Sequence, residues 1–209
     1  MSDDAHGKSD IAFREAELQD LDSLETFVPR TFFDVNPLMK TLFPDTPAMR
    51  TWWRRIFEEY IRNPDFHFPV AIDTSTQIVV GALPLRGVQK GQAFGGFMAQ
   101  HPATEDHPSE MWSKAIQRFI ENEKAAVGDN DRFLIEIMGV DEAYQGQGIG
   151  KRLVANVCDI ADAKGYPIFL ETSRAREFYL KQGRGFEVVS PDGNAAVILR
   201  QPSKREEER

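Results

Sequence analysis

A glycine-rich segment follows one of the most apolar stretches of the chain. The sequence Gln145-Gly-Gln-Gly-Ile-Gly150 comes after the apolar residues 132–140 and opens a stretch, 148–164, with apolar residues at helical spacing. Glycines let a backbone turn tightly and approach a ligand closely. The first amides of a helix have no acceptor within the helix, and the helix dipole adds positive potential there. A strand, a glycine-rich turn and a helix in this order therefore predict an anion site suited to phosphate.

Two familiar phosphate-binding patterns do not fit this segment. The dinucleotide pattern G-x-G-x-x-G, counted from Gly146, needs a glycine where Lys151 stands. The P-loop pattern needs a glycine five residues before Gly150 and a serine or threonine after the lysine, but Gln145 and Arg152 occupy those places. The phosphate ligand is therefore of another kind.

Two carboxylates near this segment are candidates for proton transfer. Glu136 is the only ionisable residue within the apolar residues 133–140, where burial would disfavour its charged form and suit it to a base role. The alternative is a buried carboxylate paired with an arginine or a backbone amide. Glu171, near the end of the next apolar stretch, is a second candidate.

Composition excludes several classes of function. The 209 residues include 25 Lys and Arg against 33 Asp and Glu, a formal net charge of −8, which argues against nucleic acid and anionic membranes as partners. The single cysteine, Cys158, excludes an intrachain disulfide and a thiolate metal site. His101, Glu105, Asp106 and His107 lie close together, but the neighbouring prolines favour an exposed loop, so no metal is expected.

Location is predicted from what the chain lacks. The N-terminal residues 1–8 are polar, without the apolar stretch of a secretory signal, and no run approaches 18 apolar residues. We therefore expect a cytoplasmic protein without a membrane partner.

Apolar periodicity predicts a single domain that mixes strands and helices. Residues 1–10 and 201–209 lack an apolar pattern and are interpreted as disordered tails, which leaves one domain over 11–200. Strands are predicted at 11–16, 68–73, 78–83, 132–140, 168–172, 186–189 and 196–199, and helices at 20–29, 46–63, 109–127, 148–164 and 174–182.

Two further regions favour an acceptor site. The glycine-rich residues 84–108 are interpreted as a lid in which Phe94 and Phe97 close over a ligand; a disordered insertion or a further hairpin is the alternative. Upstream aromatic residues either wall an acceptor or pack in the core. These are Phe32, Phe33, Phe43, Trp52 and Trp53.

The pattern Gln-x-x-Gly-x-Gly, here Gln145, Gly148 and Gly150, resembles the acyl-CoA signature of the GNAT N-acetyltransferase superfamily. The opening residues 11–16 resemble its first strand. Downstream, the family pattern Asn-x-x-Ala-x-x-x-Tyr-x-x-x-Gly-Phe aligns with this chain, with two departures. The aligned residues are Thr172 in place of Asn, Ala175, Tyr179 and Gly183, with Arg184 and Gly185 inserted before Phe186.

The resemblance implies a fold and a cosubstrate. The implied fold is α+β: a twisted, mixed but mostly antiparallel sheet with helices on both faces and two central parallel strands, 133–140 and 168–172, that splay apart. The implied cosubstrate is acetyl-CoA, with its pantetheine between those strands. The cofactor-binding residues implied are Met138, Gly139, Val140, Gln145, Gly146, Gln147, Gly148, Ile149, Gly150, Lys151, Thr172 and Tyr179.

The resemblance also implies direct acetyl transfer to a primary amine through a tetrahedral intermediate. Tyr179 is the expected acid for the thiolate, Glu136 the candidate base, and a backbone amide near Val140 the oxyanion donor. We expect an N-acetyltransferase acting on a small-molecule amine. A protein or peptide N-acetyltransferase and a non-catalytic acyl-CoA-binding module are the alternatives, and a homodimer is left open.

Overall fold

The computed structural model describes residues 10–34, 36–190 and 195–203. Most of the two predicted tails, residues 1–9 and 204–209, lies outside the described residues. Within the described part of the chain, no helix is long and apolar enough to cross a membrane.

Strands and helices follow the predicted order closely. The strands are β1 Ile11–Glu15, β2 Pro69–Asp73, β3 Ile78–Ala82, β4 Leu85–Val88, β5 Arg132–Ile135, β6 Gly139–Val140, β7 Ile168–Thr172, β8 Phe186–Ser190 and β9 Ala196–Arg200. The helices are α1 Leu21–Leu24, α2 Phe27–Phe32, α3 Pro37–Leu42, α4 Pro47–Arg62, α5 Gly96–Gln100, α6 Ser109–Val127, α7 Ile149–Lys164 and α8 Arg176–Leu180.

The strands form two sheets rather than a single continuous one. The first has the order β1-β2-β3-β6 and is antiparallel, and the second has the order β4-β5-β7-β9-β8. In the second sheet, β5 and β7 are parallel while the other neighbours are antiparallel. The predicted mixed, mostly antiparallel α+β architecture is thus confirmed.

The predicted strand 132–140 is divided between the two sheets. β5 pairs with β7 only as far as Ile135 and Leu170. The chain then leaves the second sheet, and β6 pairs with β3 of the first sheet. The parallel strands therefore splay apart beyond Ile135, as the fold prediction requires, and an opening lies between β6 and the end of β7.

Helix α7 covers one side of this opening. Its apolar stripe is buried against residues of both sheets, and Cys158 lies within that core as expected. The other side is covered by α4, α5 and α6, whose aromatic residues form a separate core. Trp52 and Trp53, on α4, belong to this core and are 4% and 0% exposed. These two residues therefore pack in the core, which was the alternative to lining an acceptor site.

Pro29 does not end the first helical segment. It lies in the first turn of α2, where a backbone N–H would have no carbonyl acceptor within the helix, so proline removes no helical hydrogen bond there.

Residues 84–108 form ordered structure rather than a disordered insertion. β4 pairs antiparallel with β5, which follows only after α5 and α6, so β4 adds a strand to the second sheet without forming the hairpin named as an alternative. Phe97 on α5 is 4% exposed and packs in the aromatic core. Phe94 lies over the buried guanidinium of Arg132, with 4.3 Å between Cζ and the ring centroid. Because Arg132 holds Phe94 and the core holds Phe97, the two rings do not form the paired lid that the sequence suggested.

Candidate active site

A cavity of about 680 Å³ lies at the opening between the splayed strands. Eleven of the twelve residues expected to bind the cofactor line it; Gln147 is exposed and does not. The eleven are Met138, Gly139, Val140, Gln145, Gly146, Gly148, Ile149, Gly150, Lys151, Thr172 and Tyr179. The tertiary structure therefore brings together segments that lie up to 41 residues apart in the chain (138 to 179). Their binding role stays a prediction.

The glycine-rich turn has the conformation of an anion site. Gly148 precedes α7 with a φ of +81°, and the first backbone bond of the helix runs from the N–H of Arg152 to the carbonyl of Gly148. The amides of Ile149, Gly150 and Lys151 thus have no acceptor within the helix. A Cβ at Gly148 would meet no atom within 4 Å, so the space beside these amides is open to a ligand.

Gly150 is needed for packing rather than for the approach of a ligand. A Cβ there would lie 2.8 Å from Cε of Met138 and 3.2 Å from Cζ of Phe178. This contact draws the start of α7 against the end of the splayed strand.

The turn between β6 and α7 is held in place by side chains. Gln145 donates from Nε2 to the carbonyl of Val140 at 3.0 Å. The hydroxyl of Tyr144 donates to Asp73 at 2.6 Å, and Asp73 also accepts from Ser75. These bonds hold the pKa of the Asp73 carboxyl well below its usual range. Sequence reasoning missed Tyr144 and Asp73 because they are 71 residues apart.

Basic residues at the cavity differ in whether their charged groups are free to contact a ligand. Lys151 is exposed and lines the cavity. The guanidinium of Arg152 instead lies over the ring of Phe13 on β1, with 3.9 Å between Cζ and the ring centroid. Arg174 also lines the cavity; an arginine in a loop carries no sequence pattern that would have identified it.

Tyr179 lies on α8 at the wall of the cavity and is 3% exposed. Its ring packs against Phe178 and Phe186, with ring centroids 5.3 and 5.4 Å apart. Burial raises the pKa of its hydroxyl well above the usual range. The hydroxyl therefore retains its proton at neutral pH and is a weaker acid than an exposed tyrosine.

Glu136 lies at the cavity floor within a buried polar network. Its carboxylate accepts from Arg86 Nε at 2.9 Å, from the hydroxyl of Tyr60 and from the backbone amide of Phe97. The side chains of Glu136 and Arg86 are 3% and 1% exposed. These are the contacts of the alternative interpretation, a buried glutamate paired with an arginine and an amide.

The same network explains a glycine of α5. A Cβ at Gly96 would lie 1.8 Å from Oε1 of Glu136, and the φ of Gly96 is +54°. Only glycine allows the start of α5 to lie against the carboxylate. Glu136 thereby holds Phe97 and Met98, both of which line the cavity.

The side of the cavity away from α7 is apolar. We call it the apolar chamber, and it is lined by Phe32, Leu38, Met39, Leu42, Phe43, Phe97, Met98 and Phe119. Phe32 and Phe43 had been singled out from the sequence, whereas the contributions of α3 and α6 had not. Phe33 is partly buried against the aromatic core and does not line the cavity.

The four residues weighed as a metal cluster are separated by their contacts. His101 lies 2.6 Å from a carboxylate oxygen of Glu59, and Asp106 accepts from Thr46. His107 accepts from the amide of Thr104. Across the described ranges of the chain, no three histidine, cysteine or acidic side chains are placed to hold a metal ion.

Comparison with known proteins agrees with this geometry. Residues 115–187, which include β5, the glycine-rich turn, α7 and Tyr179, match the family model described as an acetyltransferase (GNAT) domain. About a third of the chain is thus similar to a GNAT acetyltransferase domain. The resemblance stated from the sequence is confirmed, and this family indicates acyl transfer from acetyl-CoA. A comparison with curated proteins gives no match.

Solved structures share the GNAT fold at low sequence identity. Arylalkylamine N-acetyltransferase 2 from Aedes aegypti matches with a TM-score of 0.69 and 14% identity, covering 93% of this chain and 100% of that one. NAA60 from Arabidopsis thaliana, in complex with a bisubstrate analogue, matches at 0.56 and 14%, covering 94% and 100%. YhbS from Escherichia coli, in complex with CoA, matches at 0.53 and 15%, covering 94% and 84%.

Proposed function

We propose that this GNAT domain transfers the acetyl group of acetyl-CoA to the primary amine of a small molecule. One observation carries the proposal. A glycine-rich helix start with free amides, a pair of splayed strands and Tyr179 all border one cavity, and that cavity continues into the apolar chamber. A concave apolar chamber fits the body of a small molecule.

The residues present fit acetyl-CoA. The amides of Ile149, Gly150 and Lys151 would hold the pyrophosphate, with the Lys151 side chain beside them. Residues 136–138 pair with neither sheet, so the space beside them would hold the pantetheine. Bound acetyl-CoA supplies the thioester that the acceptor amine attacks.

Tyr179 is proposed as the acid of the reaction. Its side chain borders the cavity, where Oη would donate the proton that the departing thiolate takes up. The neighbouring rings of Phe178 and Phe186 pack against the Tyr179 ring and hold it at the wall of the cavity.

For Glu136 we propose a positioning role in place of the base role expected from the sequence. Its two carboxylate oxygens already accept from three donors, one of them the guanidinium of Arg86. These donors hold the carboxylate in place and, through the amide of Phe97, connect it to the start of α5. We therefore propose that the amine loses its proton to water in the cavity.

The experiment is release of CoA thiol by the purified protein from acetyl-CoA with a panel of acceptors. The panel contains 2-phenylethylamine, hexylamine, 1,4-diaminobutane and a peptide with a free N-terminus, and mass spectrometry identifies the product. We expect turnover with the apolar monoamines. Turnover with the peptide alone would replace the proposal by peptide N-acetylation. Binding of acetyl-CoA in calorimetry, without thiol release for any acceptor, would make the protein a non-catalytic acyl-CoA-binding module.

The peptide alternative has one specific observation in its favour. The fold is shared over the full length of NAA60, whose structure contains a bisubstrate analogue. The apolar chamber of this chain argues for a small acceptor instead, and the panel separates the two.

A further inference from the structure

Glu171 lies on the acceptor side of the splayed strands. Side chains alternate along a strand, so Glu171 points to the same side as Phe169 and opposite to Leu170. Leu170 packs with residues of α7, whereas Phe169 packs with Phe119 of α6. The carboxylate of Glu171 is therefore on the α6 side, where the apolar chamber lies, and away from the glycine-rich turn.

Two side chains of α6 fix the direction of this carboxylate. Nδ2 of Asn122 donates to Oε1 at 2.7 Å, and one guanidinium nitrogen of Arg118 donates to Oε2 at 3.1 Å. The Glu171 side chain is 8% exposed, and both Glu171 and Arg118 line the cavity. A carboxylate offers about four acceptor positions, so each oxygen keeps room for one further donor.

Glu171 differs in this respect from the other carboxylate of the cavity. Glu136 accepts from three donors and its partner Arg86 is 1% exposed. Arg118 is 41% exposed and contacts Glu171 through a single nitrogen, so solvent weakens its hold on the charge. Of the two carboxylates, Glu171 is the one with capacity for a cationic ligand.

The apolar chamber beside Glu171 indicates the chemical character of the rest of the ligand. Met39, Phe43, Met98 and Phe119 present apolar surface to the cavity. An amine with an aryl or branched alkyl body would bury that body there, because transfer of apolar surface out of water is favourable. A second charge on the ligand would lose its hydration in the chamber without gaining a partner.

We propose that Glu171 binds the ammonium group of the acceptor and that the acceptor is a monoamine with an apolar body. This inference rests on the proposed function. Glu171 orients the amine at the opening between the strands, on the face opposite to the glycine-rich turn, while Arg118 and Asn122 keep the carboxylate pointed into the cavity.

The test compares Glu171→Gln with the wild-type protein and with Glu187→Gln, a matched change at an exposed glutamate of β8. With 2-phenylethylamine as acceptor, we expect Glu171→Gln to raise KM roughly 10-fold or more, because a charge-assisted bond to the ammonium is lost. The dissociation constant of acetyl-CoA should differ less than twofold between each variant and the wild-type protein. An unchanged KM in a folded Glu171→Gln protein would overturn the assignment and return Glu171 to anchoring α6.

A second measurement needs no variant. In the presence of CoA, wild-type protein should bind 2-phenylethylamine at least about 10-fold more tightly than 2-phenylethanol, which lacks the charge. Equal binding of the amine and the alcohol would overturn the inference even if Glu171→Gln fails to fold. Absence of turnover with every acceptor in wild-type protein would instead reject the proposed function, so the two failures are distinguishable.

Discussion

At the scale of single residues, the role of each side chain in the site depends on the hydrogen bonds that it makes within the protein. Tyr179 is buried among aromatic rings, and no hydrogen bond engages its hydroxyl within the part of the chain that the structure describes. Glu136 is equally buried but accepts from three donors. The first is therefore equipped to give a proton, and the second to hold a neighbour in place.

Removing one hydroxyl tests the acid role. Tyr179→Phe keeps the ring packing, so we expect acetyl-CoA affinity to change little while kcat falls roughly 10²–10⁴-fold. Thiol release and calorimetry measure the two quantities. Tyr166→Phe, at a tyrosine that does not line this cavity, should retain wild-type turnover. Equal kcat in the two variants would assign Tyr179 a purely structural role.

Substitution of two glycines distinguishes an effect on ligand binding from an effect of backbone strain on stability. Gly148 and Gly165 flank α7, both have positive φ, and a Cβ at either would meet no atom within 4 Å. Valine at either position should cost at least about 1–2 kcal/mol of stability, because L-residues disfavour that conformation. Only Gly148→Val should weaken acetyl-CoA binding, by roughly 10-fold or more, since its side chain enters the space beside the free amides.

Calorimetry with acetyl-CoA and urea unfolding measure both effects. If the two variants bind acetyl-CoA equally well, the phosphate site does not lie at Gly148.

At the scale of elements, the short helix α5 is held by a charged group beneath it. Glu136 bonds to the amide of Phe97, and Gly95 donates its amide to the buried carboxylate of Glu123. Glu123 is in turn paired with Arg132 at 2.6 Å. Two buried carboxylates thus fix a segment whose composition favoured a mobile cover.

Adding a methyl group at Gly96 tests this attachment. Gly91 and Gly96 both have positive φ, but only at Gly96 would a Cβ collide with the Glu136 carboxylate. We expect Gly91→Ala to lose about 1 kcal/mol from backbone strain. Gly96→Ala should lose that amount and roughly 2–4 kcal/mol more, because the buried ion pair is disturbed.

Urea unfolding of the two variants compares these losses directly. Equal losses would show that Glu136 does not restrain α5.

At the scale of the whole molecule, the aromatic core between α4, α6 and the chamber includes a histidine. His107 is 5% exposed, and its ring centroid lies 4.0 Å from that of Trp112 and 4.9 Å from that of Trp52. Burial lowers the pKa of His107 below its usual value. The folded protein therefore favours the neutral ring, whereas the unfolded chain takes up a proton near pH 6.5.

The stability of the molecule should fall as the solution becomes acidic. Because the unfolded state binds the extra proton, the contribution of His107 is fully present above about pH 6.5 and is lost as the pH falls below it. We expect His107→Gln to flatten the pH dependence of the unfolding free energy between pH 7 and pH 5. Identical slopes for His107→Gln and the wild-type protein would contradict the assignment.

The amino-acid sequence by itself determined the local elements and the identity of the fold. Thr46 and Pro47 predict the start of α4, and the Thr46 side chain accepts from the amide of Met49 as an N-cap does. The glycine pattern at 146–150 predicts the turn and α7, because both depend on backbone conformations that neighbouring residues dictate. Apolar periodicity predicts which segments are strands and which are helices, since their periods differ, and the mixed sheet follows from the resemblance to the GNAT superfamily.

Only the tertiary structure decided which side chains meet. The partners of Glu136 come from positions 60, 86 and 97, and those of Glu171 from 118 and 122. No local pattern records such pairs, because hydrogen-bond partners are set by how elements pack. The division of residues 132–140 between two sheets has the same origin: the register with β3 and β7, rather than the residues themselves, determines where the strands part.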